Sequence, residues 1–274
     1  MTTNSNDRGP GMSGTTVRMS NAAIAFDDLT VLKGVDFTVN PGEFVCLLGP
    51  SGCGKSTLLS AIAGFTSLSE GTIDCDDERV DGLNRRAGMV FQSTDVLFDW
   101  LTAEENVAYG PRMRGVRKPQ ASAIAKDYLT KVGLSHAGDK FPRQLSGGMK
   151  QRVQIARVLA NEPRLVLMDE PFGALDAQTR HVLQEELVTI WQRTGCSIVF
   201  VTHDIDESVT LADRIVVMSA GPEARIKSVY EVDVPRPRAR NDVAALYDQI
   251  QDDIRVEVAQ ALRGQGLVQD EAAA

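Results

Sequence analysis

With 274 residues, 43% hydrophobic and 24% charged, the chain can bury the core of one or two domains and is too apolar to be disordered throughout. Its 29 basic and 37 acidic residues give a net charge of −8, which excludes a protein that grips phosphate backbones over its whole surface and leaves room for a local basic pocket only. Cys46, Cys53, Cys75 and Cys196 show neither C-x-x-C nor zinc spacing, so four reduced thiols and a cytoplasmic setting are expected. No apolar run approaches the ~20 residues of a membrane span, and the first stretch lacks the hydrophobic segment of a signal peptide.

Residues 1–16, rich in Gly, Ser, Thr and Asn, read as a disordered tail, with the folded part starting near Val17. The β-branched runs FTV and EFVCLLG follow. The second leads into G-x-x-x-x-G-K-[ST] at Gly49, Gly54, Lys55 and Ser56, and KSTLLSAIAG reads as a helix directly after it. Strand, glycine loop and helix in that order suit an anion: successive N–H groups turn inward and the helix N-terminus adds partial positive charge. Lys55 then reaches the β and γ phosphates of a nucleotide, and Ser56 can ligate Mg²⁺. A chance glycine turn is the competing reading. Cys53, inside this loop beside a helix N-terminus, is expected to have a lowered pKa and to be the most readily alkylated thiol.

The stretch of about 93–160 has no comparable strand runs and reads as a helical insertion, with a capping box at Thr102 and Glu105. Within it, QLSGGMKQRVQIARVLANEP sets Ser146, Gly147 and Gly148 ahead of a helix bearing Val153, Ala156 and Ala160. This is a second anion-binding helix start or an ordinary capped helix. One glycine loop with two phosphate-binding helix ends is explained economically by a composite site between two copies. LVLMDEP then delivers Asp169 toward Mg²⁺ and Glu170 as a general base or water-positioner, the two carboxylates phosphoryl transfer calls for.

DAQTRHVLQEELVTIWQRTG reads as a helix with Val182, Leu183, Leu187, Ile190 and Trp191 on one face and Gly195 as its stop. RLVLMDEP, CSIVFVTHD and DRIVVMSAG read as buried parallel strands, and alternation of strand and helix defines an α/β sheet. VDVPRPRAR looks like an extended exit from the core. The tail from Asn241 carries Val243, Tyr247, Ile250, Ile254 and Val258 at helical spacing, a face packed on its own domain or, less simply, a partner surface.

Taken jointly and in order, GPSGCGKS, MVFQ, LSGGMKQR, LVLMDEP, GALDA and VTHD make the chain resemble an ABC-type ATPase subunit. The resemblance implies an α/β P-loop NTPase core with a mixed sheet, an antiparallel β portion near the N-terminus and a helical subdomain at about 93–160. It also implies an ATPase domain over 17–240 and a C-terminal helical extension over 241–274. ATP would be bound by Gly49, Pro50, Ser51, Gly52, Cys53, Gly54, Lys55, Ser56 and Thr57. Mg²⁺ would be held by Ser56, Asp169 and Gln92, the last also sensing the attacking water beside the transporter contact. His203 would touch the γ-phosphate, Asp176 would lie at the dimer seam, and Ser146, Gly147 and Gly148 would face the opposite copy's nucleotide. Phe26, 23 residues before Gly49, would stack on adenine or serve as a core phenylalanine.

Within that family three roles compete: an importer ATPase, an ATPase working on nucleic acid or ribosomes, and a scaffold that hydrolyses little. Only 53 positions separate Gln92 from Leu145, too few for the long coiled coils of DNA-repair members, and intact Glu170 and His203 argue against a scaffold. LFDWLTAEENVAYGPRMRG, THDIDESVTLADRIVVMS and VDVPRPRAR are similar to the nitrate, sulfonate and taurine importer group, with Asp99 standing where proline is common. The implied partners are a second ATPase copy, a membrane permease at the cytoplasmic face of the cell membrane and, indirectly, an extracytoplasmic solute-binding protein, with no nucleic acid. Specificity in such systems sits in the permease and binding protein, so this chain does not spell out the solute.

Overall fold

Alternating inward apolar and outward polar residues build the first sheet of the computed structural model, which describes residues 14–264. Strand β1 (Val17–Phe26) pairs antiparallel with β2 (Leu29–Val39) on one side. On its other side it pairs with β4 (Glu70–Cys75), which carries the short β5 (Glu78–Arg79). Between β2 and β4, β3 (Phe44–Leu48) is buried at all five positions and leads through the glycine loop into α1 (Lys55–Ala63). Of the expected tail 1–16, residues 1–13 lie outside the described part, but 14–16 already belong to the fold. Thr16 donates its N–H to Asp76 Oδ1 at 3.0 Å and accepts one from Asp76 N at 2.8 Å.

Two compact units divide the described chain: Thr15–Arg85 with 198–264, here the first unit, and Arg86–Ser197 with Gly14, the second. In the second unit β6 (Ala87–Val90) runs parallel to β7 (Leu165–Asp169), whose five residues are all buried. No strand interrupts 93–160. That stretch holds α2 (Ala103–Met113), α3 (Lys118–Lys131) and α4 (Gly147–Leu159). The expected capping box opens α2, with Thr102 N–H on Glu105 Oε2 at 3.0 Å and Glu105 N–H on Thr102 Oγ1 at 3.2 Å. Helix α5 (Ala177–Thr194) buries Leu183, Leu187, Ile190 and Trp191 and stops at Gly195 in the left-handed conformation. Val182 departs from the expected face: it is exposed, and Gln184 turns inward instead.

The chain then returns to the first unit. Strand β8 (Ser197–Thr202) and β9 (Arg214–Met218) flank β3, both parallel to it, and all their apolar residues are buried, as continuous Ile/Val/Phe runs require. β10 (Ile226–Glu231) adds antiparallel to β9. Val243, in the 3-10 turn just before helix α7 (Ala244–Gly264), is buried, as is Ile250 of the helix, with Tyr247 and Ile254 half-buried. The expected stripe changes register at its end, where Val258 is exposed and Glu257 is buried.

VDVPRPRAR is more than an exit. Arg238 donates to the carbonyls of Val209 at 2.8 Å, Ala212 at 2.6 Å and Val234 at 2.7 Å, and Arg236 donates to Leu211 O and Asp213 Oδ1. The two guanidiniums therefore satisfy the terminal carbonyls of α6 (Ile205–Leu211), which follows His203. Burial first, and the like charge of Arg236 second, push Arg238 down to about 10. Replacing Arg238 with Ala strands several carbonyls at once, and the expected loss is about 2–3 kcal/mol of unfolding free energy, read from urea denaturation.

Candidate functional site

The first unit holds the glycine loop, Phe26 and His203. Because β3 is buried on both faces, its C-terminal end emerges at one fixed edge, and the loop of 49–54 turns there. Gly49 is confined by β9: a Cβ on it would lie 3.0 Å from Met218 O and 3.1 Å from Met218 Cβ. Gly54 caps α1 at φ +93°, a left-handed backbone, and a Cβ there would lie 2.8 Å from Leu32 Cδ2 and 2.9 Å from Val31 Cγ1. Both motif glycines are thus required sterically as well as for the turn. Pro50 is buried, while Ser51, Gly52 and Ser56 are exposed and Thr57 is half-buried in the first turn of α1.

Lys55 is only 5% exposed, and its ammonium donates to Gly49 O and Pro50 O, both at 2.8 Å, with Cys53 Sγ at 3.7 Å. These partners are carbonyls and a thiol, weaker acceptors for an ammonium than phosphate oxygens. The cation is therefore stored inside the loop it would serve. Cys53 corrects the sequence expectation. It is 1% exposed, and desolvation raises its pKa above the ordinary thiol value, outweighing the lowering by Lys55. All four cysteines are free and buried, so Cys53 has no advantage in exposure. The helix N-terminus is present, but burial dominates it.

Phe26 ends β1 with half its surface exposed, which fits a ring available for stacking and not a core phenylalanine. His203 is exposed at the C-terminal end of β8, where Asp204 caps α6 by accepting from Glu207 N at 3.3 Å.

The second unit gathers the remaining residues. Asp169 closes β7 and is buried, and Glu170 follows it at φ +42°, a left-handed backbone rarely adopted by glutamate. Gln92, just beyond β6, donates from Nε2 to Glu170 Oε2 at 3.1 Å across 78 positions of sequence. Ser146 caps α4, accepting from Met149 N at 3.3 Å, and Ser146 and Gly147 are exposed while Gly148 is half-buried. Asp176 caps α5 by accepting from Thr179 N at 2.9 Å, and that backbone N–H holds its carboxyl below the usual range.

Sequence reasoning missed what steadies Gln92. From α4, buried Gln151 donates to Phe91 O at 3.2 Å, and Arg157 donates to Val96 O at 2.9 Å while lying 5.3 Å over the Phe98 ring. Their spacing, with Gln154, places polar residues on one inward helix face, a pattern visible in the sequence but silent about its target. Trp100, which is 73% exposed, packs beside Phe98 with ring centroids 5.2 Å apart.

Among the described residues no group of three or more His, Cys, Asp and Glu could hold a metal by itself. The residues proposed for Mg²⁺, namely Ser56 in the first unit and Asp169 and Gln92 in the second, each offer an oxygen donor, the ligand type that suits a hard cation.

A strand, a sterically enforced glycine loop and a helix with a buried lysine at its start define a nucleotide-phosphate-binding protein of the P-loop class. The model of the family described as ABC transporter matches residues 32–173, and the chain belongs to that family. It is 48% identical over 219 residues to the bicarbonate transport ATP-binding protein CmpC of Synechococcus elongatus, covering 79% of this chain and 33% of the relative. The bicarbonate transport ATP-binding protein CmpD of Synechocystis is 48% identical over 216 residues, 78% of this chain and 76% of its own. The nitrate import ATP-binding protein NrtD of Synechocystis is 48% identical over 194 residues, 71% and 73% of the two chains. The chain thus spans 33% of the length of CmpC but most of CmpD and NrtD. Its fold is similar to the dimeric post-hydrolysis structure of the ATP-binding cassette MJ0796 bound to ADP and Pi, with a TM-score of 0.71 and 30% identity, covering 80% of this chain and all of that one.

Gly54 isolates the local constraint. Gly54→Ala meets both the left-handed backbone and the side chains of Val31 and Leu32, and it is expected to lower stability by about 1–3 kcal/mol, measured by thermal unfolding without any nucleotide.

Proposed function

We propose that this chain is the ATP-hydrolysing subunit of an ABC importer. In this reading it works peripherally at the cytoplasmic face of the cell membrane and drives a separate permease, which a solute-binding protein supplies. Among the described residues no helix is long and apolar enough to cross a membrane, and in this reading the path is the permease's. The relatives are named for bicarbonate and nitrate, which supports a small oxyanion as the solute, within the nitrate, sulfonate or taurine type that the motifs resemble. Their names speak for transport against the alternative of an ATPase acting on nucleic acid or ribosomes.

The observation that carries the reading is the Gln92–Glu170 hydrogen bond. It ties the acid suited to activating water to the residue that the family resemblance sets beside the transporter, so a movement of the Gln92 loop alters the orientation of Glu170. Exposed Trp100 on the same unit offers an apolar surface for a permease helix.

The chain's own residues divide the chemistry. Lys55 exchanges the Gly49 and Pro50 carbonyls for β- and γ-phosphate oxygens, with the 49–57 backbone cradling the phosphates and Phe26 stacking on adenine. Glu170 accepts a proton from, or orients, the attacking water, and Gln92 fixes its carboxylate. His203 donates to the γ-phosphate. Ser56, Asp169 and Gln92 are the residues that would hold Mg²⁺, which would supply charge neutralisation for the phosphate oxygens. Ser146 and the N–H groups of Gly147 and Gly148 face the γ-phosphate of a second copy, with Asp176 at the seam. The exposure of Ser146, Gly147 and Asp176, together with the dimeric state of the similar MJ0796 cassette, supports that arrangement.

Lys55→Ala should reduce ATP turnover by on the order of 10²-fold or more with unchanged circular dichroism, as phosphate release will report. Near-normal hydrolysis would refute the site.

Glu170→Gln should retain ATP and trap a dimer, which light scattering after size exclusion detects, while wild type dimerises transiently. Adding Ser146→Arg should dissolve the trapped dimer without blocking ATP from the chain's own loop. A Glu170→Gln protein that binds ATP and stays monomeric would count against the two-copy site.

A further inference from the structure

Helix α7 carries a buried acid, Glu257, next to Val258, the residue that the sequence pattern set on the inward face. Glu257 is 4% exposed, while Val256 and Val258 on either side of it face solvent. A carboxylate withdrawn from water is costly unless it is paired, so its partners indicate what it holds. One oxygen, Oε2, accepts from the backbone N–H of Ala220 at 2.7 Å, and Oε1 pairs with Lys227 Nζ at 2.9 Å. One turn earlier, Asp253 accepts from Tyr230 OH at 2.7 Å and from Ser228 Oγ, and its backbone carbonyl accepts from Lys227 Nζ at 3.2 Å. Three side chains of β10 thus grip two successive turns of α7. The Ser228 hydroxyl holds Asp253 below the usual carboxylate range, and the bond to Glu257 raises Lys227.

Ala220 is the informative partner. It opens the turn between β9 and β10, which is closed by Ser219 N–H on Arg225 O at 2.8 Å and Arg225 N–H on Ser219 Oγ at 2.9 Å. The residues on both sides of Ala220 wall the phosphate loop: Met218 confines Gly49, and a Cβ on Gly221 would lie 3.4 Å from Gly52 O and 3.8 Å from Cys53 Cα. A single hydrogen bond therefore connects the C-terminal helix to the middle of that wall.

We propose that Glu257 is a positioning residue for the phosphate loop, so that docking of α7, through Ala220, sets how tightly the loop closes and hence how well it binds ATP. The C-terminal extension becomes a handle on nucleotide affinity within the same chain. Only the consequence for ATP rests on the function proposed above; the mechanical link does not.

Buried Cys53 is a built-in reporter of loop opening, with Cys46, Cys75 and Cys196 as internal controls. The experiment labels the full-length chain with a maleimide in the absence of nucleotide, maps the four cysteines by peptide analysis, and measures equilibrium binding of a fluorescent ATP analogue. In Glu257→Ala, Cys53 labelling should accelerate about tenfold with the other three cysteines unchanged, and the Kd for the analogue should rise several-fold. Glu257→Leu keeps about the bulk of the side chain but offers Ala220 no acceptor, so it should fold even if the alanine variant does not, and it should show the same Cys53-selective change. Lys227→Met removes the ion pair but leaves the Ala220 bond, and should keep Cys53 within about twofold of wild type. An unchanged Cys53 rate in both Glu257 variants, or in Glu257→Leu alone if the other does not fold, overturns the proposal, as does equal acceleration of all four cysteines. Selective loosening of Cys53 with unaltered analogue affinity would keep the mechanical link and overturn its consequence for ATP.

Discussion

The rest of the structure depends on the need to turn polar backbone inward at the end of a strand that has no solvated face. β3 is dry on both sides, so its chain can leave only at its end, and the N–H groups released there must find an anion, water or a carbonyl to accept from them. Glycines at 49 and 54 make the inward turn possible, and neighbouring side chains of β2 and β9 make any other residue at those two places too large. Lys55 completes the device by occupying its own carbonyls until a stronger acceptor arrives. The flanking strands β8 and β9, and the arginine pair that seals α6, are the frame that keeps this turn in place.

Features set by local spacing could be read from the sequence, and features set by approach of distant segments could not. The glycine loop, the Thr102–Glu105 box, the Asp169–Glu170 strand end and the Gly195 stop each need only a few neighbouring residues to be interpretable, and each occurs in the fold where the spacing sets it. Cys53 shows the limit. A helix N-terminus is visible in sequence and argues for an acidic thiol, whereas the burial that reverses the argument comes from packing that no local pattern reveals. β10 escaped because IKSVYE, half polar and short, alternates only weakly, and its pairing is fixed by β9.

The candidate site divides in the same way. Residue types in the motifs named the candidates, but not the bond from Gln92 to Glu170 or the grip of Gln151 and Arg157 on the segment around Gln92. The register error at the end of α7 is the most instructive case. Helical periodicity favoured Val258 inward, and the buried position went to a glutamate because a backbone N–H and an ammonium wait there. Such breaches of patterning point to demands other than apolar burial.

The backbone of Glu170 has a consequence for the history of this position. At φ +42° a glutamate side chain is held in a conformation that glycine or asparagine would adopt with less strain. Selection for stability alone would drift away from the acid, so its presence there fits the role proposed for it in ATP hydrolysis, a compromise in which folding would yield to chemistry. Random libraries ranked by melting temperature would therefore enrich, at this one residue, for chains that keep their shape and, in the role proposed for Glu170, lose their work.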